Sequence, residues 1–169
     1  MRRDRRMMNL GAPSALVLGL VWASLLAGCG EQSTGPVDLR FDRVTCERCR
    51  MVLSDPRHAA QVRVLAPDGR SSVHAFDDFG CAVIWLESRP ERGAPSTEFW
   101  VSDWRTGDWI DAASAAYVPE QVTPMGYGLG AQPDAAPGTL TFAEAKAHVF
   151  EVERSFNVHG GQLHDQHRH

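Results

Sequence analysis

The stretch that decides the fold is Gln61-Val-Arg-Val-Leu-Ala-Pro-Asp-Gly69-Arg-Ser-Ser-Val-His-Ala-Phe76-Asp-Asp-Phe-Gly-Cys81-Ala-Val-Ile-Trp-Leu86. From Gln61 to Leu65 apolar and polar residues alternate, which places Val62 and Val64 on one face of a strand. Pro67-Asp68-Gly69 has turn chemistry, with proline fixing one dihedral and glycine free to take a positive φ. Ser72 to Phe76 alternates again, so the two runs predict a β-hairpin. The period then changes. Asp77 and Asp78 are N-cap candidates, Phe79, Ala82, Val83 and Leu86 recur at helical spacing, and Arg89-Pro90 ends the pattern. The segment predicts a hairpin followed by a helix, one ββα unit.

Working outward toward the C-terminus, Gly93–Ser96 is a loop and Glu98–Val101, with Phe99 and Trp100, is a short strand. The first half therefore reads β-β-α-β. Past the turn residues Thr106-Gly107-Asp108, strands are expected at Trp109–Asp111, Ala116–Val118 and Tyr127–Ala131. Pro124-Met125-Gly126 is a loop, and a proline-rich loop covers 132–138. Thr141 with Glu144 three residues later forms a capping box. Phe142, Ala145, Val149 and Val152 then share one helix face. The fold class expected is α+β: two small ββα(β)-type halves, about 38–104 and 105–155, packed together in one domain spanning 38–155. His159 to His169 holds four histidines among Gly, Gln and Asp. Such a composition cannot form a core, so 156–169 is expected to be a disordered tail.

Toward the N-terminus, Arg2, Arg3, Arg5 and Arg6 precede a stretch, Met7 to Gly28, without a charged side chain. The stretch ends Leu26-Ala27-Gly28-Cys29. A basic head, an apolar middle and small residues at the end describe an export signal, 1–28. Cys29 then becomes the lipid-carrying first residue of the mature chain, and 29–37 a tether. The rival is a transmembrane helix, since about 20 apolar residues span a bilayer; Gly11, Pro13 and Gly19 weaken it and it leaves Cys29 without a role. The expected location is periplasm-facing, anchored to the membrane through lipid on Cys29. The chain carries a net charge of −4 overall, and thirteen basic against twenty acidic residues after the signal, net −7. That acidity argues against nucleic acid as a partner.

The sharpest chemical feature is Cys46-x-x-Cys49-x-Met51. Two thiols two residues apart can meet on one metal ion. If the segment is extended, Cys49 and Met51 project from one face. Thiolate and thioether are soft ligands that select Cu(I). Zinc fits less well, because methionine is a poor zinc ligand and no second CxxC supplies a closed set of four. A CxxC outside the cytoplasm is also read as a disulfide or an exchange pair, with Met51 as core filling. Without Cys29 three cysteines remain, so at least one is free, metal-bound or buried. Cys81, on the helix, is most simply a small buried hydrophobe. Asp77-Asp78 is most simply a cap, and His58 and His74 are surface or hydrogen-bonded residues. Met125, held between Pro124 and Gly126, is a second thioether candidate or a loop anchor. No nucleophile elbow, phosphate loop, HExxH or dinucleotide fingerprint occurs, which favours a binding protein over an enzyme.

Several segments together resemble the nitrous oxide reductase accessory lipoproteins (NosL-like). They are the Leu-Ala-Gly-Cys29 end of the signal, Cys46-Glu-Arg-Cys49-Arg-Met51, Ala59-Ala-Gln61, Asp68-Gly69, Phe76-Asp-Asp-Phe-Gly-Cys81, Val101-Ser-Asp103, Gly107-Asp-Trp-Ile-Asp-Ala112, Ala116-Tyr-Val118 and Pro124-Met-Gly126. They run in family order over about 29–150. The resemblance implies a periplasm-facing lipoprotein of paired ββα-type halves, a fold related to the non-catalytic part of organomercurial lyase. It implies Cu(I) held by Cys49 and Met51 with Cys46 and Met125 near them, and delivery of copper to nitrous oxide reductase. Two positions depart from the pattern. Arg50 stands where the family has Gly, and Tyr127–Gln132 replaces a small-residue run. The alternative that the residues leave open is an extracytoplasmic thiol–disulfide protein using the Cys46/Cys49 pair.

Overall fold

The computed structural model describes residues 34–166, and side chains as far as Phe156. The export signal, Cys29 and the first part of the tether lie outside the described residues. The chain is α+β. Its elements are β1 (Ala60–Leu65), β2 (Ser71–Phe76), α1 (Phe79–Glu87), β3 (Glu98–Ser102), β4 (Trp109–Asp111), β5 (Ala116–Val118), β6 (Gly130–Gln132) and α2 (Phe142–Gln166). One antiparallel sheet has the order β2-β1-β3-β4 and a second pairs β5 with β6. No helix among the described residues is long and apolar enough to cross a membrane.

The expected hairpin forms, with Val62 opposite His74 and Val64 opposite Ser72. Val62 and Val64 are buried, as the alternation requires. The other face of β1 is buried too, which a period of two does not predict. Gln61 and Arg63 point there and are covered by the chain before Asp38. The Gln61 amide accepts from Val37 N at 3.0 Å and donates to Val37 O at 2.8 Å, and the Arg63 guanidinium donates to Gly35 O at 2.7 Å. Residues 35–37, expected to belong to a free tether, are thus fastened to the sheet, because buried polar side chains must find partners.

Two further boundaries differ from expectation. β4 was assigned to the second half, yet it pairs with β3, Val101 opposite Ile110. A three-residue strand is stable only beside an existing edge, and β3 is the nearest one in sequence. The halves are therefore ββαββ and ββα, and together they form one compact unit. They are stitched together where Asp103 bridges Ala131 and where Trp104 N donates to Ala131 O at 2.8 Å. The capping box forms as expected, Thr141 N donating to Glu144 Oε2 at 2.8 Å. Ala145 and Val149 are fully buried. The α2 backbone stays helical to Gln166, into the histidine-rich stretch expected to lack structure. An existing helix extends at little cost per residue, whereas composition speaks only to whether a core can form.

The core is shared by both sheets and both helices. Phe79 of α1 stacks near Tyr117 of β5 (centroids 4.5 Å apart) and meets Phe99 of β3 and Phe142 of α2. The start of α1 is therefore the point at which every layer meets.

Candidate metal centre

Residues 44–53 do not form the extended segment that would align Cys49 with Met51. They form a tight hairpin turn, with Thr45 bridging Val52, Cys46 N donating to Met51 O at 2.7 Å and Arg50 N to Cys46 O at 3.1 Å. Arg50 has a φ of 66°, left-handed backbone that favours glycine. A residue of that hand between Cys49 and Met51 breaks the strand alternation. Cys49 consequently turns inward, while Met51 is 46% exposed. The turn is pinned at its other side by Glu47 N, which donates to Ala75 O of β2 at 2.9 Å.

That pin lays the turn across the junction of β2 and α1. Four side chains meet there: Cys46, Cys49, Asp77 and Cys81, whose ligating atoms all lie within 4.8 Å of one another. The cysteines are unpaired thiols. Cys46, Asp77 and Cys81 are buried and Cys49 is half-buried at the outer side. The Cys49 thiol donates to Asp77, 3.3 Å from Oδ2. Cys46 and Cys49, expected together, do meet, and Cys81 and Asp77 join them; Met51 is largely exposed and Met125 sits in the loop held by Asp78. Cys81 is buried as expected but faces the other two thiols, and the helix cap is Asp78, not Asp77.

The two aspartates divide the work. Asp78 caps α1, its Oδ1 accepting from Gly80 N at 2.9 Å. Its Oδ2 accepts from Thr123 Oγ1 at 2.6 Å and from Met125 N at 3.1 Å. The cap therefore also holds the Pro124-Met125 loop at the head of α1, and leaves Asp77 free to face the thiols. Burial pushes the Asp78 carboxyl above the usual range. Cys81 falls in the first turn of α1, where the helix dipole and unsatisfied N–H groups favour negative charge.

The electrostatics separate the thiols. A hydrogen bond from Cys81 is the largest influence on Cys46, and together with bonds from the Cys49 and Asp77 backbone it brings the Cys46 pKa down to about 6 against the opposing effect of burial. The same contact with Cys46, followed by burial, pushes Cys81 up. Burial pushes Cys49 up. Cys46 is thus the most acidic of the three thiols, and the cluster can take a soft cation and release protons as it does so.

His58 and His74 stand outside this cluster. His74 stacks on Trp85, centroids 4.5 Å apart, and burial lowers its pKa. Burial likewise lowers that of His58. The odd cysteine count was the signal in the sequence that a third thiol needed a role; its partners four residues upstream and in the turn were not visible there. No protein-family model, curated protein or solved structure matches the chain.

Proposed function

We propose that this chain is a metallochaperone: it takes Cu(I) into the Cys46/Cys49/Cys81 cluster and passes it to an extracytoplasmic copper enzyme. The observation that carries the proposal is the convergence of three thiols beneath a surface turn, their sulfurs within 4.8 Å of one another. Sulfur donors select Cu(I) over harder ions. Cys49 is the half-exposed member and is the ligand that an incoming donor from an acceptor would displace first from the bound ion. Transfer by ligand exchange then needs no free ion. Asp77 accepts a hydrogen bond from the Cys49 thiol and so orients it toward the other two, and the thiol protons leave as copper binds. The role is carriage and not turnover, so the protein is not an enzyme. The family resemblance makes nitrous oxide reductase the client, lipid on Cys29 the anchor and the periplasm-facing side the location. It also brings Met51 and Met125 forward as thioether ligands of the loaded or transferring state.

One observation favours a second metal. Asp77 offers an oxygen as a fourth donor, and a Cys3Asp set also suits tetrahedral Zn(II). Anaerobic competition titration separates the two. The reduced protein is expected to bind one equivalent of Cu(I) and to retain it against excess Zn(II). Zinc binding as tight as copper in the same assay would overturn the copper assignment. Met51→Leu and Met125→Leu keep volume and apolar character. They should weaken Cu(I) retention while leaving the thiols reactive. If both variants hold copper as the parent does, and only Cys46→Ser or Cys49→Ser destroys client activation, the pair acts in thiol–disulfide exchange instead.

A further inference from the structure

Arg48 lies between the two cysteines of the turn, a place where a surface-exposed cation would be expected. Its guanidinium instead spans to the second half of the molecule. Nη2 donates to Glu153 Oε1 of α2 at 2.6 Å, and Nη1 donates to Tyr127 Oη at 3.0 Å. Tyr127 Oη in turn donates to Glu153 Oε2 at 2.5 Å, closing a three-membered ring of charge-assisted bonds. Nη1 also stands 3.9 Å from Cys81 Sγ. The Tyr127 ring is itself fixed, packed so tightly on α1 that a Cβ at Gly80 would lie 2.2 Å from it. His148 of α2 adds a bond to Tyr127 O at 3.0 Å.

We propose that Arg48, Tyr127 and Glu153 form a latch that holds the metal-binding turn closed over Cys81, so that opening of the site, and with it the rate of metal release, is controlled from α2. The latch bears on the metal-site reading above, but its geometry concerns the metal-free thiols and is testable without metal. These are positioning residues. Arg48 Nη1 stands over Cys81 Sγ of α1 at 3.9 Å, and Glu153 anchors the other arm of the guanidinium. Lysine at 48 cannot reproduce the fork, because an ammonium is a point donor that cannot meet the carboxylate and the phenol in one plane. The ion pair is partly exposed, each side chain at 25%. Its loss should therefore open the turn locally without unfolding the sheet.

The test uses the full chain, reduced and metal-free, treated with iodoacetamide and mapped by mass spectrometry, with Glu153→Gln, Tyr127→Phe and Arg48→Lys beside the parent. Alkylation of buried thiols follows the population of the open form. The latch predicts that Cys81 is alkylated about fivefold faster or more in Glu153→Gln and Arg48→Lys, and by a smaller factor in Tyr127→Phe, which keeps the ring against Gly80. Amide exchange in β1 and β3 should stay at the parent level. In the copper-loaded protein the same variants should hand Cu(I) to a competing chelator faster. Parent-like Cys81 alkylation in all three variants overturns the proposal, as does acceleration accompanied by equal loosening of β1 and β3. Accelerated alkylation in a protein that binds no copper leaves the latch standing and removes the copper chaperone.

Discussion

Two opposing influences act on the proton of Cys46. Burial disfavours the thiolate, and the hydrogen bond from Cys81 favours it and prevails, bringing the pKa down to about 6, well below that of an ordinary thiol. A pKa lowered on folding stabilises the folded state above the unfolded pKa, and that stabilisation is lost as pH falls through the folded one. The metal-free protein should thus gain stability from this group between about pH 6 and pH 9. Thiolate absorbance should show one titration centred near the lower end, absent in Cys46→Ser; a first titration near pH 9 would refute it. Cys81→Ala removes both a candidate ligand and the donor that lowers the Cys46 pKa. It should weaken metal binding at least as much as Cys49→Ser, as measured by competition with a chelator. Arg50 supplies a different test. Its side chain is 68% exposed and its φ is 66°. A left-handed non-glycine residue costs about 1–2 kcal/mol, part of which returns as glycine's extra unfolded-state entropy. Arg50→Gly should accordingly stabilise the protein by up to about 1 kcal/mol, read from the denaturation midpoint.

Among the elements, α1 does most to build the site. Nine residues long, it carries Cys81 in its first turn and follows directly from Asp77 and Asp78. Its cap is shared with the Thr123–Met125 loop, so cap, loop and site are set by one carboxylate. Gly80 shows how tightly. In an open helix, alanine would improve on glycine by about 1 kcal/mol. Here a Cβ would overlap the Tyr127 ring at 2.2 Å. Overpacking of this kind typically costs about 1–3 kcal/mol. Gly80→Ala should be net destabilising in urea and should also weaken metal binding, since Tyr127 cannot yield without disturbing Arg48. A stabilised Gly80→Ala protein would show that the ring is free to move.

At the scale of the whole molecule, α2 is the element that joins the halves. Ala145 and Val149 are fully buried in the common core, Phe142 meets Phe79 and Phe99, and Glu153 reaches the turn. A chain ending at Thr139 should fail to unfold cooperatively, because it strips the cover from Phe79 and Tyr117. A chain ending at Phe156 keeps every side-chain contact described here. It should unfold with the midpoint of the full-length protein and bind the same single equivalent of metal. Loss of cooperativity in the longer of the two would place an essential contact beyond Phe156.

Local physics settled much of this in the sequence itself. The hairpin, the helix after Asp77-Asp78, the strands at 98–101, 109–111 and 116–118 and the Thr141 capping box follow from period and end chemistry, which depend on neighbours within a few residues. The α+β class follows from their order. The CxxC announced sulfur chemistry for the same reason. What the chain could not settle by itself was long-range. That β4 joins β3, that Gln61 and Arg63 hold down residues 35–37, and that Cys81 and Asp77 complete the cluster depend on which surfaces meet after the layers pack. Cys81 reads as an apolar helix residue until the turn at 46–51 is laid over α1. The partner of Arg48 is likewise set only when α2 brings Glu153 within 2.6 Å of it. Periodicity reports which face of an element is buried, and only the tertiary fold decides what that face is buried against.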